Sequence, residues 1–235
     1  MRIFFLLFSL FLLGCNVSVS TNKQDKKIVV PQYFYDYDLW QKVIDADIEG
    51  FVIINPSNGP GDSSDSAYIE EIDDLIKSGK TPIGYVYTKW GDRDIEEVKD
   101  DIDTWIKLYP QIRGFFIDEA STLSDRFGYY KDLKDYINSK GEYKIVLNPG
   151  TMPEVIYFSI ANVIVVYEGN ATAIDDNICN SYSSQSAIIV YGASETQMRE
   201  IVNKPCKYFY ISDDNDTNPY DSLPSYFDEE IKLLK

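Results

Sequence analysis

Residues 113–120 read RGFFIDEA, an apolar run that ends on two acids, Asp118 and Glu119. A continuous apolar run of this length is typical of a strand that is covered on both faces. Carboxylates are not left unpaired in a dry interior, because burying an isolated charge is costly. The stretch therefore predicts a buried strand whose end emerges at a functional surface.

Seven further clusters share this apolar, β-branched and aromatic character: VVPQYFY (29–35), GFVIINP (50–56), PIGYVYT (82–88), YKIVLNP (143–149), NVIVVYE (162–168), AIIVYG (187–192) and KYFYIS (207–212). Apolar residues at helical spacing lie between them: 68–76, 95–109 and 129–137, shorter candidates from Pro153, Ala171 and Ser194, and 226–234 at the end. Eight strands alternating with helices predict parallel βαβ units. The count favours an α/β fold with a single (β/α)8 TIM-type barrel over an open sheet.

In such a barrel the functional face lies at the carboxyl ends of the strands. Polar and aromatic residues collect at these ends: Tyr33, Tyr35, Asn55, Tyr87, Thr88, Asp118, Glu119, Asn148, Glu168, Asp213 and Asp214. The strand starts carry nothing comparable. We therefore expect the site at the mouth formed by these ends.

Asp118 and Glu168 are the strongest candidates for chemistry. Side chains alternate along a strand, so Asp118 shares a face with Phe116, and Glu168 is expected to share one with Ile164 and Val166. If both faces point inward, two carboxylates meet at the mouth, as in glycosidases. Glu119 should point away unless the strand bends. In the alternative reading, Asp118 only caps the helix that follows.

Two segments, INPSNGPG (54–61) and LNPGT (147–151), repeat an Asn-Pro pair followed by glycine. Proline keeps the preceding residue extended and ends strand pairing, which fixes Asn55 and Asn148 at the rim. These amides could bind sugar hydroxyls or simply satisfy the backbone of a turn. The sequence leaves both readings open.

Aromatic rings at strand ends are candidate sugar contacts, because a flat ring with a polar edge packs on the apolar face of a sugar. They are Tyr33, Tyr35, Tyr87, Trp90 and Tyr167. Most of the 19 tyrosines are expected in the core or on the surface.

The segment SDDNDTN places Asp214, Asp216 and Asn218 at calcium-loop spacing. Pro219 stands where that loop requires glycine, and Ser225 stands where it requires glutamate. The segment therefore predicts a rim loop and no metal site. No nucleotide-binding pattern is present, and no cofactor is expected.

The chain carries 38 acids, 22 bases and no histidine, with a net charge of -16. This balance argues against a nucleic-acid partner and suits either a cationic ligand or a merely soluble surface. Without histidine, Ser-His-Asp triads and histidine-bound zinc are excluded. Acid–base chemistry would fall to carboxylates.

The amino-terminal residues MRIFFLLFSLFLLGCN predict export. Their apolar core is too short to span a membrane, and LLGC resembles a lipobox. We expect a signal peptide over residues 1–14, lipidation of Cys15 with a polar tether over 15–27, and a barrel domain over 28–235. The protein would be a membrane-anchored lipoprotein of a bacterial cell envelope, although an ordinary secretory signal is the alternative.

Whether Cys179 and Cys206 form a disulfide is left open by the sequence.

Several motifs run in order along the mature chain: VPQYFY, INPSNGPG, IGYVYTKWGDR, GFFIDEAS, VLNPGT, VVYEG and ISDDNDTNPYDSLPSYF. Together they resemble spherulation-specific family 4. The resemblance implies a (β/α)8 barrel related to endo-α-1,4-galactosaminidases. It also implies that Asp118 is the nucleophile, that Glu168 is the acid–base and that Glu119 supports them. Further groove residues implied by it are Asn55, Tyr85 and Asn148.

The two carboxylates at strand ends and the resemblance together predict a surface-anchored endo-glycoside hydrolase. The resemblance implies that its substrate is exopolysaccharide containing galactosamine or N-acetylgalactosamine. We expect a retaining mechanism, with carboxyl groups about 5 Å apart, whereas about 6.5 to 9.5 Å would favour inversion. The alternative is a non-catalytic carbohydrate-binding lipoprotein of the same fold. The predicted substrate contacts are Tyr33, Tyr35, Asn55, Tyr85, Thr88, Asn148 and Asp214.

Overall fold

Eight parallel strands close into a barrel in the order in which they occur in the sequence. The computed structural model describes residues 25–215 and 217–235. Its strands are Lys27–Gln32 (β1), Gly50–Ile54 (β2), Thr81–Tyr87 (β3), Gly114–Asp118 (β4), Lys144–Leu147 (β5), Val163–Asn170 (β6), Ser186–Tyr191 (β7) and Tyr208–Ile211 (β8). The predicted (β/α)8 TIM-type barrel is confirmed.

Helices cover the outside of this barrel: Tyr37–Asp45 (α1), Ser66–Lys77 (α2), Ile95–Leu108 (α3), Phe127–Lys140 (α4), Glu195–Ile201 (α5) and Phe227–Leu234 (α6). The helices expected from Pro153 and Ala171 are wrong, because only short 3-10 turns, Val155–Ser159 and Ala171–Ala173, occur there. The first turn buries only Tyr157 and Phe158 and the second only Ala171, so neither has the continuous apolar face that stabilises a longer helix.

Helix α1 is absent from the sequence-based prediction. Asp36 caps it by accepting hydrogen bonds from the backbone N–H groups of Asp38 and Leu39. Only Trp40 and Val43 of this helix are buried. Leu39, Trp40, Val43 and Ile44 nevertheless recur at helical spacing, so this helix is readable from the sequence and its omission is an error of the prediction.

Strand β3 and helix α3 approach each other closely at Gly84. A Cβ atom there would lie 2.6 Å from the Trp105 ring, so only glycine allows this contact. The Trp105 indole N–H also donates to the backbone carbonyl of Tyr85 at 2.9 Å. This packing fixes the end of β3, where the Tyr85 side chain faces the mouth.

Strand β6 contains a bulge that decides where Glu168 points. Val165 pairs with Ala187 of β7 and Tyr167 pairs with Ile188, so β6 has one extra residue between two consecutive residues of β7. A bulge of this kind reverses the alternation of side chains beyond it. The prediction that Glu168 shares a face with Val166 is therefore wrong, since Glu168 faces the same way as Val165. The register across β4, β5 and β6 puts that face on the side of Asp118.

Cys179 and Cys206 form a disulfide with their Cα atoms 5.1 Å apart. The bond ties the β6–β7 connection to the segment that enters β8 and answers the question that the sequence leaves open. Closing a chain segment of 27 residues stabilises the fold by about 3 to 4 kcal/mol in the chain-entropy account.

The predicted signal peptide, Cys15 and the tether up to residue 24 lie outside the described residues, as does Asp216. Within residues 25–215 and 217–235, no helix has the length and apolar character needed to cross a bilayer. The described chain enters the barrel at the start of β1, on the side opposite the carboxyl ends of the strands.

Candidate active site

Two carboxylates, Asp118 from β4 and Glu168 from β6, meet at the mouth of the barrel. The side-chain nitrogen of Asn148, which follows β5, donates to Asp118 Oδ1 at 2.7 Å and to Glu168 Oε2 at 2.5 Å. Because one nitrogen bonds both oxygens, these oxygens are no further apart than the sum of the two lengths, about 5.2 Å. The structure thus brings the carboxylates of Asp118 and Glu168 together on the side-chain amide of Asn148, three residues that the sequence places at strand ends.

The Asn148 amide is held in this orientation by its own turn. Its Oδ1 accepts from the backbone N–H of Gly150 at 3.0 Å, so its nitrogen must face the carboxylates. Gly150 has a φ of 67°, a conformation that favours glycine. The Asn148 backbone also donates to Ile117 and accepts from Ala120. The turn-forming role is therefore confirmed for Asn148, whose side-chain nitrogen is directed at the two carboxylates.

Each carboxylate has a second donor, and the two donors are different tyrosines. Tyr85 donates to Asp118 Oδ2 at 2.7 Å, and the Tyr220 hydroxyl donates to Glu168 Oε1. The ring of Tyr33 lies edge-on to both tyrosines, with centroid distances of 5.8 Å. The half-buried Tyr33 thus packs between the two donors at the mouth.

The electrostatics of the pair are unequal. Burial raises the pKa of Asp118, while the hydrogen bonds from Tyr85 and Asn148 oppose that rise. Burial also raises the pKa of Glu168, and the negative charge of Asp118 raises it further. Two carboxylates this close repel each other, so the pair favours the state that holds one proton over the doubly ionised state. Such a pair combines an ionised carboxylate with a carboxylic acid.

Glu119 occupies a bend at the end of β4. Its φ of 50° lies in the left-handed region, so the chain bends at the end of the strand. Such a bend is the condition under which the Glu119 side chain can turn towards the mouth. Its carbonyl accepts from Thr88 Oγ1 at 2.8 Å and from the Trp90 N–H at 2.6 Å. The side chain lines a cleft together with Tyr85, whose pKa its charge helps to raise. Among the described residues, none donates a hydrogen bond to the Glu119 carboxylate.

Thr88 does not line the groove as predicted. It is completely buried, and its hydroxyl donates to the carbonyls of Asp118 and Glu119 at 3.0 and 2.8 Å. The same hydroxyl lies 2.9 Å from the hydroxyl of Tyr130. Thr88 therefore fixes the end of β4 from behind and cannot contact a ligand.

Asn55 and Tyr35 line a cleft of about 510 Å³ that also reaches Tyr33. Asn55 Oδ1 accepts from the backbone N–H of Gly59 at 2.9 Å, so the turn-forming role applies to this amide. Tyr35 is 56 % exposed and packs edge-on against Trp40 at 4.9 Å. This cleft is connected with the carboxylate pair through Tyr33, whose ring packs on that of Tyr85.

Asp214 belongs to the loop that carries Tyr220. Its carbonyl accepts from the Gly192 N–H at 2.7 Å, and Ser222 Oγ lies 3.5 Å from its carboxylate. The neighbouring Asp213 carboxylate accepts from the Ser225 N–H at 3.0 Å. These contacts shape the β8–α6 loop. Residues 25–215 and 217–235 hold no cluster of three or more acidic or cysteine side chains placed to bind a metal.

Tyr220 is the site residue that sequence reasoning misses. It lies well beyond the end of β8 and reaches Glu168 because the β8–α6 loop folds back over the mouth. The backbone carbonyl of Tyr220 accepts from the Tyr33 N–H at 3.3 Å and holds the loop there. The one signal in the sequence is its position inside the closing motif NPYDS. Attention to strand ends alone could not find it.

Comparison with known proteins adds the family. The family model described as spherulation-specific family 4 matches residues 27–234. The chain belongs to spherulation-specific family 4. Spherulin-4 from Physarum polycephalum is similar to this family member, with 30 % identity over 238 residues that cover 92 % of this chain and 72 % of that protein.

Solved structures resemble this family 4 barrel as well. Sph3 from Aspergillus clavatus, solved in complex with GalNAc, aligns with a TM-score of 0.79 and 25 % identity, covering 90 % of this chain and 98 % of Sph3. The glycoside hydrolase domain of PelA from Pseudomonas aeruginosa aligns with a TM-score of 0.52 and 12 % identity, covering 83 % and 96 % of the two chains. The latter likeness concerns the fold alone. The barrel therefore has a glycoside hydrolase-like fold.

Proposed function

We propose that this family 4 protein is an endo-glycoside hydrolase that cleaves galactosamine- or N-acetylgalactosamine-containing exopolysaccharide with retention of configuration. The observation that carries the proposal is the bridge from Asn148 to two buried carboxylates, each with a second donor of its own. A protein that only binds glycans has no need for two acids held so close in a desolvated site.

In the first step the ionised Asp118 attacks the anomeric carbon of the sugar in the mouth. The bond from that carbon to the glycosidic oxygen breaks, and Glu168 gives its proton to the departing oxygen. Tyr85 and Asn148 hold Asp118 in place during the attack. The products of this step are a shortened polymer and a glycosyl ester on Asp118.

In the second step water replaces the ester. Glu168, now ionised, takes a proton from the water, whose oxygen attacks the anomeric carbon and releases Asp118. Glu168 ends protonated as it began, so the cycle is balanced. The limit of about 5.2 Å between the bridged oxygens supports retention, because inversion needs room for water between the two carboxyl groups.

The substrate class rests on two further observations. The similar Sph3 structure holds GalNAc, which supports a galactosamine-type sugar for this chain. The net charge of -16 and the Glu119 carboxylate at the mouth suit a polymer that carries free amino groups. A partly deacetylated polymer is therefore the proposed substrate.

The direct test measures new reducing ends released from such a polymer. Asp118→Asn and Glu168→Gln should each lower the rate by about 10² to 10⁴-fold, because each removes one of the two chemical roles. Two exposed acids provide matched controls, Asp132→Asn on α4 and Glu70→Gln on α2, and both should keep the wild-type rate. Binding of the polymer without any hydrolysis by the wild type would overturn the proposal in favour of a carbohydrate-binding protein.

We also propose that the protein is an exported lipoprotein attached through Cys15. The disulfide between Cys179 and Cys206 supports export, because such bonds persist in oxidising compartments. A tether entering at β1 would leave the mouth facing away from the membrane. Cys15→Ser should move the protein from the membrane fraction to the soluble fraction, and an unchanged membrane fraction would contradict attachment at this residue.

A further inference from the structure

Trp90 differs from the other two tryptophans of the chain. Trp40 and Trp105 are 2 % and 0 % exposed, and their indole N–H groups donate to backbone carbonyls. The Trp90 side chain is 60 % exposed and lies in the β3–α3 connection. A large apolar ring left in solvent next to a candidate site is a feature that the core does not explain.

The backbone under this ring is strained. Lys89, Trp90 and Gly91 have φ values of 48°, 55° and 85°, three left-handed residues in succession. This conformation is unfavourable for a lysine and for an aromatic residue. Strain of this kind persists only where surrounding contacts impose it, and it is concentrated at functional sites.

Contacts from the neighbouring connection impose this conformation. The Trp90 N–H donates to the carbonyl of Glu119 at 2.6 Å. Arg126 donates to the carbonyl of Gly91 at 3.4 Å and forms an ion pair with Asp92. The position of the indole is therefore linked to Glu119, the residue that directly follows Asp118.

A cleft of about 580 Å³ lies against the indole. It is lined by Asn58, Tyr85, Tyr87, Lys89, Trp90, Asp92 and Glu119. Tyr85 connects it with the carboxylate pair, because the same side chain donates to Asp118. A volume of this size accommodates a small ligand, and the lining combines one flat ring with several polar groups.

We propose that Trp90 is a stacking platform for a second pyranose unit of the same polymer, next to the sugar that is cleaved. The apolar C–H face of the ring would pack on the indole, and the polar lining would bond its hydroxyl or amino groups. The sugar class rests on the proposed function. Trp90 is a substrate-binding residue in this account and takes no part in bond cleavage.

The test uses two substitutions with different consequences. Trp90→Asn removes the ring but tolerates the left-handed backbone better than tryptophan does, so its Tm should be unchanged or higher. Trp90→Phe keeps a flat ring and should retain most of the binding. Both substitutions are made in the Asp118→Asn variant, in which hydrolysis does not interfere with the measurement of binding. Galactosamine oligosaccharides of one to six units are titrated, and binding is measured by tryptophan fluorescence and by calorimetry.

Trp90→Asn should weaken binding of the longer oligosaccharides by about tenfold, while the single sugar binds all variants alike. Oligosaccharides should quench the fluorescence of the parent protein, since Trp90 is its exposed tryptophan. Equal affinity of the parent and Trp90→Asn for every length would overturn the platform, and so would a complete absence of binding.

The polymer assay separates this inference from the hydrolase itself. Hydrolysis with an unchanged KM in Trp90→Asn would refute the platform and leave the hydrolase intact. Length-dependent binding that requires Trp90, without hydrolysis by the wild type, would support the platform and refute the hydrolase.

Discussion

At the residue scale, the hydroxyls of Tyr85 and Tyr220 perform the same task on different carboxylates. Each donates to the ionised form of its partner, stabilises that form and thereby opposes the rise of pKa that burial causes. In the proposed reaction Asp118 must be ionised and Glu168 must be protonated. The two hydroxyls should therefore control opposite sides of the pH–rate profile.

Tyr85→Phe should raise the pKa of Asp118 and move the acidic limb of the kcat/KM profile to higher pH. Tyr220→Phe should raise the pKa of Glu168 and move the basic limb to higher pH. Tyr37→Phe, an exposed position on α1, is the control and should move neither limb. Identical shifts of both limbs in the two site variants would contradict the separate roles of the carboxylates.

Much of this site could be read from residue types at strand ends. Asp118, Asn148 and Glu168 stand directly after apolar runs, and the barrel brings such ends together. Regular alternation along β6 nevertheless predicts the wrong face neighbours for Glu168, because nothing in the run NVIVVYE reveals a bulge. Tyr220 was out of reach, since its contact depends on how a long loop folds back.

At the element scale, helix α2 packs against β1 through a buried acid. Glu71 of α2 is 3 % exposed, and Gln32 of β1 donates to it. Burial raises the pKa of Glu71 from 4.5 to about 8. The folded protein therefore keeps a proton there at neutral pH that the unfolded chain loses.

This difference makes the stability depend on pH. Below pH 4.5 the group is protonated in both states, so the contact has its full strength. As the pH rises from 4.5 towards 8, only the unfolded chain ionises, and the free energy of unfolding falls by about 1.4 kcal/mol per pH unit from this group. Above pH 8 no further loss from Glu71 follows.

Glu71→Gln mimics the protonated acid and should remove this dependence. At pH 8.5 its Tm should exceed that of the wild type by several degrees, whereas near pH 4.5 the two should be similar. Glu70→Gln changes the adjacent exposed residue and should follow the wild type in Tm scans over this range. Parallel curves for wild type and Glu71→Gln would contradict a buried, protonated Glu71.

The elements themselves were predictable where a long periodic pattern exists. Helices α2, α3 and α4 follow such patterns, and all eight apolar runs contain a strand. Helix α1 has only nine residues and was omitted although its apolar residues recur at helical spacing, and the turns after β5 and β6 bury only one or two residues each. The errors thus lie where a short segment takes its structure from its neighbours.

At the scale of the whole molecule, charge should govern encounter with the substrate. A net charge of -16 attracts a cationic polymer over a distance that salt shortens. The KM for a deacetylated polymer should rise severalfold as the salt concentration increases from about 0.02 to about 0.5 M. A fully acetylated polymer of the same length is neutral and should show no comparable change, and equal salt dependence of both would contradict electrostatic attraction.

The central claim is that Asp118 and Glu168 act as nucleophile and acid–base across the Asn148 bridge. Proton NMR of the first product, recorded before its anomers equilibrate, tests this claim most directly. The new reducing end should first carry the same anomeric configuration as the cleaved linkage. A first product of the opposite configuration would refute Asp118 as the nucleophile.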